Sequence, residues 1–446
     1  FEVPEWAANK VVYQIFPSRF AATEPVDKEL WYKAPITPMD DLHGNLRGII
    51  EHMDDIQNLG IDVLYMTPIF QSNSCHKYDT TDYYQIDPSF GTTEDLKELV
   101  QKAHERGMKV VLDAVYNHTG REFFAFADIL ENGEKSKYRD WYFIDGFPLK
   151  SEWGEIPNFK CFGYYGGMPK LNLKNPEVEK YITDVACYWI KECDIDGWRL
   201  DVGDEISHFF WKNFRKAVKA VKKDMLIIGE IWHYAGDFLE GDEWDTVMNY
   251  PFYLNLIDLL ADEKITVSQF VQNLGYLKGR LHKNCYPLMW NLIDSHDTAR
   301  FLHLCNDNKK KQHLAAAFQL LLPGMPMIYY GDEYAMPGAN DPDCRRGMYW
   351  DEEYQDKEMY EWYKRLIQVR KSHACIVEGE LAGSVTEDEE GTIVLIRKNG
   401  EETIAMIFNC SSSAKKFNEY TQKYNLLTEN TFDGNVEGFD AAVIVL

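Results

Sequence analysis

The sequence predicts an α/β protein built on a (β/α)8, or TIM, barrel, with a small domain inserted after the third strand and an antiparallel β-sandwich at the C-terminal end. Three observations lead to this prediction. Eight short apolar runs alternate with amphipathic stretches, a long segment rich in aromatic residues and glycine follows the third run, and polar and apolar residues alternate after about Cys375. The 446 residues suffice for a barrel of roughly 250 residues with added domains.

Eight apolar, β-branched runs are the predicted barrel strands. They begin at Val11, Asp62, Lys109, Asp196, Leu226, Val247, Pro287 and Pro326. Continuous apolar runs are typical of parallel strands that are covered on both faces. One intervening helix has clear ends, because Thr92 is a capping residue at its start and Gly107 stops it. The alternation therefore indicates a parallel barrel.

The domain division follows from the length of the third connection and from the change of pattern near the C-terminus. A connection of this length predicts a small domain or lid, since simple connections are shorter. The runs TIVLIRK from Thr392 and ETIAMIFN from Glu402 are typical of a β-sandwich. The predicted units are the barrel at 1–118 and 176–374, the inserted domain at 119–175 and the sandwich at 375–446.

Composition excludes several classes of partner. The formal net charge of -25 repels phosphate backbones and anionic lipids, so nucleic acid and membrane surfaces are poor partners. No apolar run approaches the roughly 20 residues that a membrane-spanning helix needs. Nine scattered cysteines without a CxxC spacing are typical of reduced thiols in a cytosol. We therefore expect a cytoplasmic protein with a neutral ligand, although a chain that begins with Phe1 leaves a secreted form with a cleaved leader open.

Polar residues interrupt the apolar runs near the carboxyl ends of the predicted strands. They are Asp113, Asn117 and His118 in the third run, Arg199 and Asp201 in the fourth, Glu230 in the fifth, and His296 and Asp297 in the seventh. A buried charge is unfavourable unless it has a partner or a function. Because the active sites of barrels lie at the carboxyl ends of the strands, these side chains predict one site.

Carboxylates that meet in one cleft suit the cleavage of a glycosidic bond. In that reaction a carboxylic acid protonates the leaving oxygen while an ionised carboxylate attacks the anomeric carbon. Arg199 stands two residues before Asp201, so both side chains lie on the same side of the strand and the arginine favours the ionised aspartate. Asp201 is therefore the candidate nucleophile. A metal site is the competing interpretation, but an arginine in the cluster would repel the cation.

Four motifs carry a resemblance to a known family. They are DAVYNH from Asp113, GWRLDVGDE from Gly197, GEIW from Gly229 and NLIDSHD from Asn291. In this order they resemble the four signature strands of the α-amylase family of glycoside hydrolases. The resemblance implies that Asp201 is the nucleophile, Glu230 the general acid/base and Asp297 a third carboxylate that binds sugar hydroxyls. The residues implied to contact the sugar at the cleavage site are His118, Arg199 and His296.

Other motifs resemble one subgroup of the family, the neopullulanases, cyclomaltodextrinases and maltogenic amylases. They are VVYQIFPSRF from Val11, HKYDTTDYYQIDPSFG from His76, MPKLN from Met168 and DPDCRRGMYW from Asp341. This resemblance implies that Tyr78 is the stacking platform under the sugar being cleaved, with Tyr83 as the competing candidate. It also implies that Asp341 and Arg345 bind the next sugar toward the non-reducing end.

The resemblance implies a retaining hydrolase of α-1,4-glucosidic bonds in maltooligosaccharides, cyclodextrins, pullulan or starch, with transglycosylation when a sugar hydroxyl replaces water. MPKLN favours this activity over an α-1,6-glucosidase, in which a different sequence is usual at this place. The α-1,6-glucosidase and other sibling activities on the same site remain the first alternative. A catalytically silent glucan-binding barrel is the second alternative, and the presence of all three carboxylates argues against it.

The sequence departs from the subgroup in two ways. Many relatives carry a further β-domain ahead of the barrel, whereas here the first strand begins almost at once, so we expect an open cleft and a monomer, with an oligomer still open. The loop after the first strand, PSRFAATEPVDKEL, offers few oxygen ligands for a calcium ion, which prefers six to eight. Asn117 matches a calcium ligand of other α-amylases but has no identifiable partners. We expect no required cofactor and treat calcium as optional.

Overall fold

Eight parallel strands form the predicted barrel. The structure, a computed structural model, describes residues 2–150, 154 and 156–446. The barrel strands are β1 Val12–Ile15, β2 Val63–Met66, β3 Lys109–Ala114, β4 Gly197–Leu200, β5 Leu226–Gly229, β6 Thr246–Val247, β7 Trp290–Asn291 and β8 Met325–Tyr329. Each of the eight apolar runs in the sequence contains or adjoins one of these strands, so the prediction of the barrel is confirmed.

The strands form a closed cylinder. Their order in the sheet is β6-β5-β4-β3-β2-β1-β8-β7, and every pairing is parallel. A parallel bridge between Met248 and Trp290 closes the gap between β6 and β7, and the Asn249 amide donates to the Trp290 carbonyl at 2.8 Å. Buried side chains such as Val12, Val63 and Ile228 fill the interior. The carboxyl ends of all eight strands therefore meet at one face.

Helices cover the outside of the barrel. Within the described residues the α-helices are Pro17–Phe20, Lys28–Trp31, Leu46–Glu51, Met53–Leu59, Thr93–Glu105, Phe124–Asn132, Pro176–Cys193, His208–Val221, Tyr250–Leu256, Val267–Arg280, Phe301–Leu304, Lys309–Leu321, Lys357–Ser372 and Cys375–Glu378. The helix expected after Thr92 is present, and the Thr92 hydroxyl and the Asp95 carboxylate form a capping box at its start. Among these described helices, none is long and apolar enough to cross a membrane.

Two long connections rise from the carboxyl face. After β2, the short strands Phe70–Ser72 and Thr80–Ile86 form an irregular antiparallel hairpin. After β3, the stretch 119–175 contains the helix Phe124–Asn132 and short antiparallel bridges, three of which join it to itself, at Tyr142, at Ile144 and at Cys161. Residues 151–153 and 155 of this stretch lie outside the described residues. Its treatment as a separate inserted domain, like the division at residue 375, stays a prediction.

The C-terminal residues form an antiparallel sheet with a second, smaller layer. The strands are β9 Glu380–Glu387, β10 Thr392–Asn399, β11 Glu402–Asn409, β12 Lys415–Lys416, β13 Tyr424–Asn425, β14 Asn430–Thr431, β15 Asn435–Val436 and β16 Asp440–Val445. Six of them pair in the order β9-β10-β11-β16-β13-β14, while β12 and β15 form the second layer over the apolar side chains of β10, β11 and β16. The other face packs on the barrel, where Phe408 stacks on Phe318 at 4.2 Å between ring centroids.

The end of β5 depends on a glycine. Gly229 directly precedes Glu230 and lies against the buried indole of Trp244. A Cβ atom at Gly229 would lie 2.1 Å from Cε3 of Trp244, closer than two unbonded carbon atoms can approach. The indole is fully buried, so it has little space to move away.

We therefore expect Gly229→Ala to lower the free energy of unfolding by about 1–3 kcal/mol, the usual effect of one additional methyl group in a filled core. Gly275→Ala is the matched control, because Gly275 lies in the exposed helix Val267–Arg280 with open space around its Cα. That change should raise the free energy of unfolding by up to about 1 kcal/mol. Urea denaturation measures both values, and equal effects at the two positions would contradict the packing argument.

A buried glutamate joins the first strand to the loop after the last strand. The Tyr13 hydroxyl donates to Glu333 Oε1 at 2.7 Å, and the Gly331 amide donates to Oε2 at 2.9 Å. Burial raises the pKa of Glu333 from 4.5 to about 7, although the hydrogen bond from Tyr13 lowers it. Between these pH values the folded protein holds a proton that the unfolded chain has released.

The free energy of unfolding should therefore fall as the pH rises from about 4.5 to about 7, because the unfolded state binds fewer protons than the folded state in this window. Glu333→Gln cannot release this proton, so its free energy of unfolding should fall less over the same window. Urea denaturation of both proteins at closely spaced pH values tests this. Parallel curves for the two proteins would exclude Glu333 as the source.

Candidate active site

One arginine at the end of β4 contacts four carboxylates. Arg199 is fully buried, and its Nη1 atom lies 2.8 Å from Asp201 Oδ1 and 3.1 Å from both carboxylate oxygens of Asp113. Its Nη2 atom lies 3.1 Å from Glu230 Oε2 and 3.8 Å from Asp297 Oδ2. Arg199 lies near the carboxyl end of β4 and Asp201 just beyond it, while the other three acids lie at or beyond the carboxyl ends of three other strands. The parallel pairing of the strands brings these ends, and so these groups, together.

Burial beside other carboxylates raises the pKa of two of these acids, Asp113 and Asp201. Burial raises the pKa of Asp113 to about 6, although Arg199 lowers it. Burial and the Glu230 carboxylate also raise the pKa of Asp201 well above its ordinary value, while Arg199 again acts in the opposite direction. Interacting carboxyls titrate together. The cluster therefore retains a proton at pH values at which an isolated aspartate is ionised.

The candidate acid is held by two N–H groups. The backbone amide of Val202 donates to Glu230 Oε2 at 2.9 Å, and the indole of Trp232 donates to Oε1 at 3.2 Å. Val202 directly follows Asp201 and has left-handed backbone angles, with φ 48° and ψ 43°. A β-branched residue in this region is strained by about 1–3 kcal/mol, so the surrounding contacts must hold it there.

Tyr78 and His296 form parallel rings beside the carboxylates. Their centroids lie 5.5 Å apart with an interplanar angle of 3°, and the Tyr78 hydroxyl lies within hydrogen-bonding distance of Asp113 and of His296 Nε2. Gln14 Nε2 lies 2.7 Å from His296 Nδ1. Burial, followed by the charge of Arg345, lowers the pKa of His296 well below 6.5, so the imidazole is neutral. The sequence analysis assigned no role to Gln14. A polar amide inside the apolar run that begins at Val11 could have marked it as a site residue.

Tyr83 lies outside the cleft, so it does not fit the role of stacking platform for which it was the competing candidate. Its side chain is fully buried, and its hydroxyl donates to the carbonyl groups of Val115 and His118 at 2.6 and 2.9 Å. Neither face of its ring is available to a ligand. Tyr83 instead fixes the chain after β3, and Tyr78 alone of the two tyrosines lines the cleft.

His118 lies at the edge of the cleft with both ring nitrogens near protein groups. Nε2 lies 3.0 Å from the Tyr78 carbonyl, Nδ1 lies 3.4 Å from the Asn117 amide, and the ring stacks on Phe162 at 5.2 Å. Burial lowers the pKa of His118 to about 3, so this imidazole is also neutral. A direct bond from His118 to a sugar stays a prediction.

Asp341 and Arg345 lie side by side at the rim. Arg345 Nη1 is 2.7 Å from Asp341 Oδ1, its Nε donates to the His296 carbonyl at 2.8 Å, and its Nη2 lies 3.4 Å from Asp297 Oδ1. The Asp341 side chain is 49% exposed, whereas that of Arg345 is only 10% exposed. The arginine thus links the rim to the third carboxylate.

These groups surround a cleft of about 420 Å³. Seven of the ten predicted residues line the cleft, namely Tyr78, His118, Asp201, Glu230, Asp297, Asp341 and Arg345. Two more do not line it but contact lining residues: Arg199 contacts Asp201, and His296 contacts Asp297. The sequence reasoning missed five lining residues, which are His76, Phe162, Met168, Val202 and Trp232. Trp232 is 42% exposed and stacks on Tyr250 at 4.0 Å. Aromatic rings that line a polar cleft suit flat sugar rings.

The residues around Asn117 do not fit a calcium ion. The carboxamide oxygen of Asn117 accepts a hydrogen bond from the ammonium group of Lys170, which also lies 3.1 Å from the carbonyl oxygen and from Oε2 of Glu205. A positive charge already takes the place at which these oxygens converge. Elsewhere in the described part of the chain, no group of three or more His, Cys, Asp or Glu side chains is arranged to hold a metal ion.

Comparisons with known proteins identify relatives of this chain. The family model described as alpha amylase, catalytic domain, matches residues 14–379. The chain is 47% identical over 418 residues to a cyclomaltodextrinase of Geobacillus thermopakistaniensis (strain MAS1), with 93% of this chain and 71% of the relative covered. It is 42% identical over 414 residues to an intracellular maltogenic amylase of Bacillus subtilis, with 92% and 70% covered.

A solved structure extends the likeness to the whole fold. The cyclic alpha-maltosyl-(1-->6)-maltose hydrolase from Arthrobacter globiformis, in complex with that sugar, is 35% identical with a TM-score of 0.91. The match covers 100% of this chain and 100% of that one. The chain therefore belongs to the α-amylase family of glycoside hydrolases.

Proposed function

We propose that this hydrolase cleaves α-1,4-glucosidic bonds of cyclodextrins and maltooligosaccharides, with pullulan and starch as further substrates, and retains the anomeric configuration. The observation that carries the proposal is the contact of Asp201 and Glu230 with the same Arg199 at the floor of the cleft. The printed names of the relatives, a cyclomaltodextrinase and a maltogenic amylase, support the substrate class.

In the first step Glu230 donates a proton to the glycosidic oxygen while a carboxylate oxygen of Asp201 attacks the anomeric carbon. The bond between the anomeric carbon and the leaving oxygen breaks, and a covalent glycosyl ester forms on Asp201. Arg199 lies closer to Asp201, at 2.8 Å, than to Glu230, at 3.1 Å, and this favours the negative charge on the nucleophile. The mechanism requires the negative charge on Asp201 and the proton on Glu230 at the start of this step.

In the second step Glu230, now ionised, takes a proton from an incoming water molecule, whose oxygen attacks the same carbon and releases Asp201. Two inversions give net retention. A sugar hydroxyl in place of water would give transglycosylation by the same route. The N–H groups of Val202 and Trp232 keep the Glu230 carboxyl in one place while its charge changes.

The remaining groups bind the sugar. The ring of Tyr78 provides a flat apolar face at the cleft that Asp201 also lines, and Asp297 offers a partly exposed carboxylate to sugar hydroxyls. Phe162 and Trp232 add further apolar surface to the lining of the cleft, and Asp341 with Arg345 presents paired charges at the rim for the next sugar. This arrangement binds a neutral, hydroxyl-rich ring through its faces and its edges.

A second candidate is cleavage of an α-1,6-linked substrate on the same machinery. The observation in its favour is the full-length structural likeness to a hydrolase named for a ring that contains (1→6) bonds. A silent glucan-binding barrel is disfavoured, because all three carboxylates line one cleft and lie within 4 Å of the same Arg199. The intracellular relative supports the expectation of a cytoplasmic location, and a monomer stays a prediction.

Asp201→Asn should lower kcat on γ-cyclodextrin, maltoheptaose and pullulan by about 10⁴-fold or more, because the glycosyl ester cannot form without the nucleophile. NMR of the products gives both the rate and the anomeric configuration, and we expect α products from the unaltered enzyme. Asp184→Asn is the matched control, since Asp184 is an exposed carboxylate on the helix Pro176–Cys193, outside the cleft, and its change should leave turnover unchanged. Equal activity of the two variants, or β products, would exclude the mechanism.

Tyr78→Ala should lower kcat/KM by about 10-fold or more, since stacking and contacts of this kind are worth about 1–3 kcal/mol. Tyr83→Phe should leave kcat/KM unchanged but lower the free energy of unfolding by about 1 kcal/mol or more, because two buried carbonyl groups lose their donor. Steady-state kinetics and urea denaturation of both variants separate the two roles. A kinetic defect in Tyr83→Phe alone would reverse the assignment.

A further inference from the structure

A largely buried ammonium group, that of Lys170, joins three segments of the chain beside the active site. Lys170 Nζ lies against Asn117 Oδ1, the Glu205 carbonyl oxygen and Glu205 Oε2, and the Lys170 side chain is only 18% exposed. Asn117 follows β3, Lys170 belongs to the stretch between β3 and the helix Pro176–Cys193, and Glu205 ends the loop after β4. One charged group thus connects elements that are distant along the chain.

Backbone contacts fix the lysine in place. The Leu171 amide donates to the Asn117 carbonyl at 3.0 Å, and the Thr119 amide donates to the Pro169 carbonyl at 3.1 Å. These two hydrogen bonds are made by the residues directly before and after Lys170, so they fix its backbone against the segment that contains Asn117 and Thr119. The ammonium group has three N–H bonds and three oxygen acceptors, so its hydrogen-bonding capacity matches its surroundings.

The loop that Lys170 holds also carries the nucleophile. It runs from Asp201 to Glu205 and contains the strained backbone of Val202, whose carbonyl accepts from the Glu205 amide at 3.1 Å. The Val202 amide in turn donates to Glu230 Oε2, and the Gly203 amide donates to the Glu230 carbonyl at 3.2 Å. The end of the loop at Glu205 and the acid at Glu230 are thus connected through one short, strained segment.

We propose that Lys170 is a built-in cation that holds the loop from Asp201 to Glu205 in its catalytic shape and replaces a bound calcium ion at this position. Lys170 is a positioning residue, because its contacts are to Asn117 and Glu205 and it acts on the reacting groups through Val202. A divalent cation beside it would meet repulsion from the ammonium and would find the oxygens already engaged. The inference rests on the roles proposed for Asp201 and Glu230.

The first test uses the unaltered enzyme. Its melting temperature should be the same after treatment with EDTA and after addition of calcium chloride, because no metal binds at this position. A melting temperature that calcium raises and EDTA lowers, in a way that Lys170→Met abolishes, would overturn the proposal. This measurement needs no substrate, so it is independent of whether the proposed glucan hydrolysis is correct.

The second test compares three variants by kinetics on maltoheptaose. Lys170→Met keeps the length of the side chain but removes the charge, and it should lower kcat by about 10- to 100-fold with a smaller change in KM, since small displacements of reacting groups have effects of this order. Lys170→Arg should restore most of the lost kcat. Lys174→Met is the matched control, because Lys174 is an exposed lysine near the same loop and its change should have no effect.

The outcomes separate the two proposals. Absence of glucan hydrolysis in the unaltered enzyme would reject the proposed function, while the metal test would still report on Lys170. Normal kcat in Lys170→Met, or an equal defect in Lys174→Met, would overturn the positioning role. If Lys170→Met does not fold, the kcat of Lys170→Arg and the metal test decide, and a metal-stabilised unaltered enzyme would still contradict the proposal.

Discussion

The site depends on the contacts between the guanidinium group of Arg199 and the carboxylates around it. The guanidinium group is fully buried at the end of β4, and within about 4 Å it meets four carboxylates that come from β3, from the end of β4 and from the loops after β5 and β7. Without it, the carboxylates would repel one another in a region of low dielectric constant. Burial and the excess of acids over this one positive charge raise the pKa of Asp113 and of Asp201.

The packed barrel stabilises this cluster of buried charges. The bridge between Met248 and Trp290 closes the cylinder, so the strand ends that carry the acids cannot move apart. Gly229 lets the indole of Trp244 lie directly against β5, one residue before Glu230. The polar groups at the carboxyl face therefore rest on a packed apolar interior, and the energy required to bury them is met by the whole domain rather than by the site itself.

Much of the fold and of the chemistry could be predicted from the sequence, because the signals are local. Apolar runs mark the strands, and acids at the ends of those runs mark the carboxyl face, so Asp201, Glu230 and Asp297 stood among the candidates from the pattern. The roles of Glu230 and Asp297 came from the resemblance to the α-amylase family. Tyr78 and Tyr83 could not be separated in this way, because the hairpin that carries them is irregular and its register decides which ring faces the cleft. Phe162 and Trp232 lie in loops, where no periodicity reports the direction of a side chain.

The contact of Lys170 with Glu205 has a thermodynamic consequence. A bound ion occupies its site only in proportion to its free concentration, and a protein that depends on it loses stability when the ion becomes scarce. The occupancy of a covalently attached charge does not depend on concentration, since the side chain is present in every folded molecule at any dilution. The shape of the loop that follows β4 is then a property of the chain alone, and it does not vary with the ionic composition of the surroundings.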